Sequence, residues 1–158
     1  MGGVKIFSLK LLLPELGRQK KSGKKIVFTN GCFDVLHAGH TRYLQKARQL
    51  GDLLVVGLNT DASVRKLKGP GRPVNPEEAR AEVLAALESV DYVVPFSEET
   101  PLRLIERLRP HFLVKGGDWK KSSIAGADTV ASYGGRVRTI PFIKGFSTTG
   151  ILKKIERL

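Results

Sequence analysis

Two of the three histidines of this 158-residue chain, His37 and His40, stand three positions apart at the end of Thr29-Asn30-Gly31-Cys32-Phe33-Asp34-Val35-Leu36-His37-Ala38-Gly39-His40. On a helical turn that spacing puts both imidazoles on one face, and Gly39 between them leaves room for a ligand oxygen near the backbone. The segment reads as a strand, a glycine-bearing turn and the start of a helix. A helix start there presents unpaired N–H groups and a positive dipole end, which favour an anion. The chemistry this suggests is phosphate binding. A single histidine would be read more simply as a packed or surface side chain, but two in one turn after the first strand weigh against that. Zinc would need further ligands, with Asp34 turned toward both imidazoles, and is not expected. The glycines do not fall at GxGxxG spacing.

Three further groups carry the same chemistry. Val114-Lys115-Gly116-Gly117-Asp118-Trp119 follows a strand candidate, with paired glycines that let a ligand approach the backbone and with Asp118 able to accept from a sugar hydroxyl. A plain β-turn competes for those glycines. Gly145-Phe146-Ser147-Thr148-Thr149-Gly150 sets three hydroxyls at a helix start. An N-cap accounts for Ser147, but three hydroxyls after a glycine suggest a second phosphate cradle. Lys66-Leu67-Lys68-Gly69-Pro70-Gly71-Arg72-Pro73 is a basic loop able to close over a triphosphate, with Arg80 one helical turn into the next helix. A solvated loop is its plainer reading.

These residues need a scaffold that gathers them. From Lys25 onward, short apolar runs alternate with amphipathic stretches, the pattern of a parallel sheet covered by helices. Strands are expected at Ile26–Thr29, Leu53–Leu58, Tyr92–Pro95, Phe112–Lys115 and Val137–Pro141. Helices are expected from His40 to Leu50, from an Asn75 N-cap and Pro76 through Leu87, from Thr100 and Pro101 to Pro110, and from Ser147 with Ile151, Leu152 and Ile155 facing inward. The fold class is α/β, a Rossmann-like doubly wound five-stranded parallel sheet of order 3-2-1-4-5 with helices on both faces. In that order strands one and four are neighbours, so their carboxyl ends border one crevice. Pro14 interrupts a helical Leu9–Leu16 pattern, so residues 1–24 are read as a peripheral N-terminal helical segment and residues 25–158 as the catalytic domain.

Composition narrows the classes. The hydrophobic content of 41% supports one independent core. No apolar run reaches the about eighteen residues of a membrane span, and Met1–Lys10 lacks a signal peptide's pattern, so a cytoplasmic protein without a membrane partner is expected. The single cysteine, Cys32, leaves no intrachain disulfide and fits a reducing compartment. The net charge of +12 attracts polyanions in general. Only Arg18–Lys25 forms a dense basic run, and no aromatic residues interleave with it to stack bases. A basic surface with a pocket for anionic metabolites is preferred over nucleic-acid binding.

The GxFDxxHxGH run from Gly31 to His40 resembles the first signature of the cytidylyltransferase-like nucleotidyltransferases. With Asn59-Thr60-Asp61, Lys68-Gly69, Arg72-Pro73-Val74-Asn75-Pro76, Val114–Trp119 and Ser147-Thr148-Thr149, the chain from Lys25 onward is similar to the adenylyltransferase domain of ADP-heptose synthases. The resemblance implies transfer of AMP from ATP to D-glycero-β-D-manno-heptose 1-phosphate, with Mg²⁺ accompanying the triphosphate, for lipopolysaccharide inner-core precursors. Related proteins often carry a sugar kinase, for which this chain has no room, so a separate kinase is expected; a homodimer is compatible with the reading.

The implied roles follow the chemistry of in-line attack on the α-phosphorus. His37 and His40 donate to the α-phosphate and bridging region, while Lys68, Ser147, Thr148 and Thr149 hold the triphosphate. Asn30, Phe33, Asp34, Gly39, Arg72 and Arg80 belong to the nucleotide side, and Gly117 and Asp118 line its base or ribose. Asn59, Asp61, Lys115 and Trp119 are assigned to the sugar phosphate, and no protein metal ligand is assigned. Two competing readings remain, a cytidylyltransferase of a small alcohol phosphate and a basic RNA-binding module.

Overall fold

The computed structural model describes residues 4–117 and 119–158. Strands β1 (Ile26–Gly31), β2 (Leu53–Asn59), β3 (Tyr92–Phe96), β4 (Phe112–Gly116) and β5 (Arg136–Ile140) form a parallel sheet in the order β3-β2-β1-β4-β5. This is the expected doubly wound order. The helices are α1 (Leu9–Lys21), α2 (Ala38–Arg48), α3 (Asp61–Lys68), α4 (Glu77–Ala85), α5 (Leu102–Leu108), α6 (Ala127–Ser132) and α7 (Thr148–Ile155).

Alternate strand residues feed two cores, one on each face of the sheet. Ile26, Phe28 and Val55 pack with Leu12 and Leu16 of α1, Leu104, Ile105 and Leu108 of α5, and Val130 of α6. Val27, Leu54 and Val56 pack with Leu44 and Ala47 of α2 and with Ala81 and Leu84 of α4. Both faces are therefore covered, which is why β2 is buried at every position and reads as an unbroken apolar run.

The register opens the crevice. β1 pairs with β2 from Ile26↔Leu53 to Gly31↔Leu58, whereas its recorded pairing with β4 is confined to Val27↔Phe112 and Phe28↔Leu113. Thr29–Gly31 and Val114–Gly116 run on beyond that pairing, at the switch point where ligands of open parallel sheets collect.

Several expectations are corrected. Residues 4–24 are not peripheral: Leu12 and Leu16 lie in the core, and Ile6 forms a parallel bridge to Val93 at the sheet edge. Pro14 lies inside α1 without ending it, because Leu9, Leu12, Leu13 and Leu16 make an apolar stripe whose burial outweighs one missing N–H. α2 begins at Ala38 with His37 as its N-cap, and α4 begins at Glu77 with Pro76, not Asn75, at the cap. α3 and α6 have no counterpart among the expected elements, being short helices with two buried residues each. α7 has no buried residue, and Ile155 is exposed, against the expected inward stripe. No helix among the described residues is long and apolar enough to cross a membrane.

Candidate active site

The two histidines meet, but not by sharing a helical face. His37 is extended backbone at the N-cap of α2, where its Nδ1 accepts the Gly39 N–H at 3.1 Å. That bond puts the proton of the neutral ring on Nε2. His40 sits one turn into α2, and the ring centroids are 3.9 Å apart at 31°. A Cβ on Gly39 would lie 2.8 Å from the His37 ring and 3.0 Å from Phe146 Cβ. Glycine is required there by neighbouring side chains, beyond any need to admit a ligand oxygen. Burial, reinforced by His37, pushes the His40 imidazole down to about 4, and burial also lowers His37. Both rings are thus neutral near pH 7. His40 Nδ1 is buried and has no hydrogen-bond partner among the described residues. Phe33, in the left-handed region at φ 45°, packs its ring 5.4 Å from His40.

Across the crevice, Lys115 on β4 donates from Nζ to Asn30 Oδ1 on β1 at 3.1 Å. Burial lowers the Lys115 ammonium from its ordinary value, so a cation is held partly desolvated at the crevice floor. Gly117 adopts φ +96° and donates to Ile140 O at 2.8 Å, tying the end of β4 to the end of β5. Trp119 is half exposed beyond it. Asp118 lies outside the described residues.

The hydroxyl cluster reaches the same corner. Ser147 caps α7, its Oγ accepting the Gly150 N–H at 3.0 Å. Thr148 Oγ1 donates to Val35 O at 3.3 Å, which fastens α7 to the β1–α2 loop, and Phe146 stacks on His37 at 6.3 Å. Thr149 is exposed beside them.

The residues on the α3–α4 side are bonded mainly to one another. Asp34, 4% exposed, accepts from Arg72 Nε at 2.6 Å and from the N–H groups of Val74 and Asn75. Burial works to raise this carboxyl, but the two backbone donors and Arg72 outweigh it and hold the group below its ordinary value. Asn75 Nδ2 donates to Asp34 O, which explains why Asn75 is not a helix cap. Arg80, 2% exposed, donates to the carbonyls of Cys32, Asn59 and Asn75 and pairs with Asp61 at 2.7 Å. Asn59 is buried and donates to Ser63. Arg80, Asn59 and Asp61, expected at a ligand, therefore knit β1, β2, α3 and α4 together. Lys68 ends α3, not a loop, and stands exposed with its charge felt at Cys32 on the β1–α2 loop.

Residues without an assigned role also border the site. Tyr43 bonds Thr29 at 2.7 Å beneath the crevice, and burial raises its phenol to about 12. Arg42 lies over the Phe146 ring, and Phe142 rests on Gly116 and Gly117. Phe146 was legible as part of the hydroxyl-rich run, whereas Tyr43, Arg42 and Phe142 have no motif to mark them.

The chain has relatives among known proteins. The chain is 56% identical over 154 residues to the bifunctional protein HldE of Geobacter sulfurreducens, covering 98% of this chain and 31% of that protein. It is 60% identical over 137 residues to the bifunctional protein HldE of Syntrophotalea carbinolica, covering 87% and 28% respectively. It thus spans about a third of the length of the curated relatives it matches. Among solved structures, the lipopolysaccharide core biosynthesis protein of Thermoplasma volcanium superposes with TM-score 0.62 at 26% identity, covering 78% of this chain and 100% of that one. Pantothenate synthetase of Thermus thermophilus, at 16% identity, 94% of this chain and 67% of its own, shares the fold with TM-score 0.66. A family model matches residues 28–151, from the first strand through the hydroxyl-rich helix start, and the chain accordingly belongs to the cytidylyltransferase-like family.

Proposed function

We propose that this chain is a cytoplasmic adenylyltransferase that joins AMP from ATP to D-glycero-β-D-manno-heptose 1-phosphate, releasing pyrophosphate and forming ADP-heptose for lipopolysaccharide inner-core precursors. The observation that carries this reading is the pair of neutral imidazoles at the N-terminus of α2, 3.9 Å apart and facing a second helix start at Ser147. The similarity to bifunctional HldE proteins and to a lipopolysaccharide core biosynthesis protein supports the choice of substrates.

A phosphate oxygen of the sugar attacks the α-phosphorus in line, and the bond to the bridging oxygen of pyrophosphate breaks. The attacking oxygen is already anionic, so it needs no strong general base. Catalysis then consists of positioning and of stabilising charge that grows on the transferring phosphoryl group. His37 has Nδ1 engaged by Gly39 and presents Nε2–H to an α-phosphate oxygen; His40 acts beside it. The N-termini of α2 and α7, Thr149 and Lys68 hold the β- and γ-phosphates. Lys115, at the floor, takes the sugar phosphate. Among the described residues no group of three His, Cys, Asp or Glu side chains could hold a metal ion. Asp34, on the loop between the first strand and the histidines, is engaged by Arg72, Val74 and Asn75. The described residues do not form a Mg²⁺ cage, and the ion would come with ATP as part of the substrate. A sugar kinase supplies the heptose 1-phosphate.

The test is pyrophosphate release with each of the four nucleoside triphosphates against heptose 1-phosphate, other sugar phosphates and glycerol 3-phosphate. ATP with the heptose 1-phosphate should dominate. Dominance of CTP with an alcohol phosphate would replace this reading by the cytidylyltransferase one.

A further inference from the structure

The segment joining β5 to α7, residues 141–147, lays one phenylalanine at each end of the crevice. Phe146 is partly covered, with His37 on one side and Arg42 over its ring. Phe142 is 75% exposed and belongs to no ring–ring pair among the described residues. It is nonetheless closely seated. A Cβ on Gly116 would lie 2.9 Å from its Cε1, and a Cβ on Gly117 would lie 2.6 Å from its Cε2. The ring therefore rests on bare backbone at the carboxyl end of β4 and leaves most of its surface exposed. The Gly117 N–H bond to Ile140 O, at 2.8 Å, keeps that backbone in register with the strand from which the phenylalanine emerges.

We propose that Phe142 is the base platform of the site: the purine of a nucleoside triphosphate stacks on its open face, and glycine at 116 and 117 serves to seat the ring. The inference rests on the nucleotidyltransferase reading and names the residue that binds the base. A flat π-face with a fixed backing is what a nucleobase stacks on. Phe142 at the β4 end and Phe146 at the histidine end also match the order of a nucleotide, base first and phosphates last. A purine, with the larger ring system, gains more from such a platform than a pyrimidine.

The experiment compares ATP and CTP binding by calorimetry, together with steady-state kinetics, for the full chain and its Phe142→Ala, Phe142→Leu and Phe142→Tyr variants. Phe142→Ala and Phe142→Leu should weaken ATP binding about tenfold, in the range of one lost base–aromatic stack. Phe142→Tyr should stay within about twofold, because it keeps the ring. The preference for ATP over CTP should fall in the first two variants, with kcat at saturating ATP nearly unchanged, since a uniform binding interaction is lost. Wild-type affinity in Phe142→Ala, or full affinity in Phe142→Leu, would overturn the platform. A wild-type chain that binds ATP but makes no nucleotide sugar would refute the proposed substrates, while the binding comparison still decides Phe142. Failure of the wild type to bind any triphosphate would remove both.

Discussion

At the α2–α7 end of the crevice polar groups are left open, whereas at the α3–α4 end they are bonded to one another. His40 Nδ1 has no partner among the described residues, and Thr149 is exposed in the first turn of α7. Asp34, Arg72, Asn75, Arg80 and Asp61 form a closed network only one loop away. Both regions hold charged and polar residues within the same family pattern, yet one leaves a buried imidazole nitrogen without a protein partner among the described residues and the other closes on a loop. A satisfied network contributes rigidity, and unsatisfied donors beside it become useful because their support does not move.

Breaking the closed network should have the largest effect. Arg80→Met leaves three carbonyls without their donor and Asp61 without its partner, and should cost roughly 3 kcal/mol of stability, read from the urea midpoint. A loss below about 1 kcal/mol would show that the network is dispensable. Next comes the open corner. His40→Ala should lower turnover about a hundredfold while leaving the urea midpoint near wild type at neutral pH, the loss typical of removing one preorganised donor. Unchanged turnover in the folded variant would remove His40 from the mechanism.

Acid sharpens the same contrast. The His40 imidazole is depressed to about 4 in the fold, so between its ordinary value of about 6.5 and that point the unfolded chain binds the extra proton. Stability should therefore be flat above that range and fall as pH drops through it, with a shallower slope in His40→Ala. Bound triphosphate should work the other way, favouring the protonated ring; ATP binding near pH 5.5 should take up protons, measured as a dependence of the calorimetric heat on the buffer's ionisation enthalpy. The smallest effect belongs to Ser147→Ala, which removes the α7 cap and should cost about 1 kcal/mol, seen as faster amide exchange confined to α7.

Much of the fold was legible because both sheet faces are buried: each parallel strand appears as an apolar run, and the long crossover helices as periodic stripes. α3, α6 and the boundary of α4 were not, since short helices carry two or three buried positions and their ends depend on tertiary partners. Asn75 has every local feature of an N-cap, and it is Asp34, forty-one positions away, that takes its N–H and side chain.

The sequence by itself determined the order of the strands and brought the histidine and hydroxyl runs together at one switch point. Residue type and local spacing suffice for that, because helix starts and strand ends have fixed geometry. Only the tertiary structure decided which donors are free. Whether Arg80 meets a phosphate or three carbonyls, and whether Phe142 hides in a core or lies open on two glycines, depends on contacts between distant segments that no local pattern encodes.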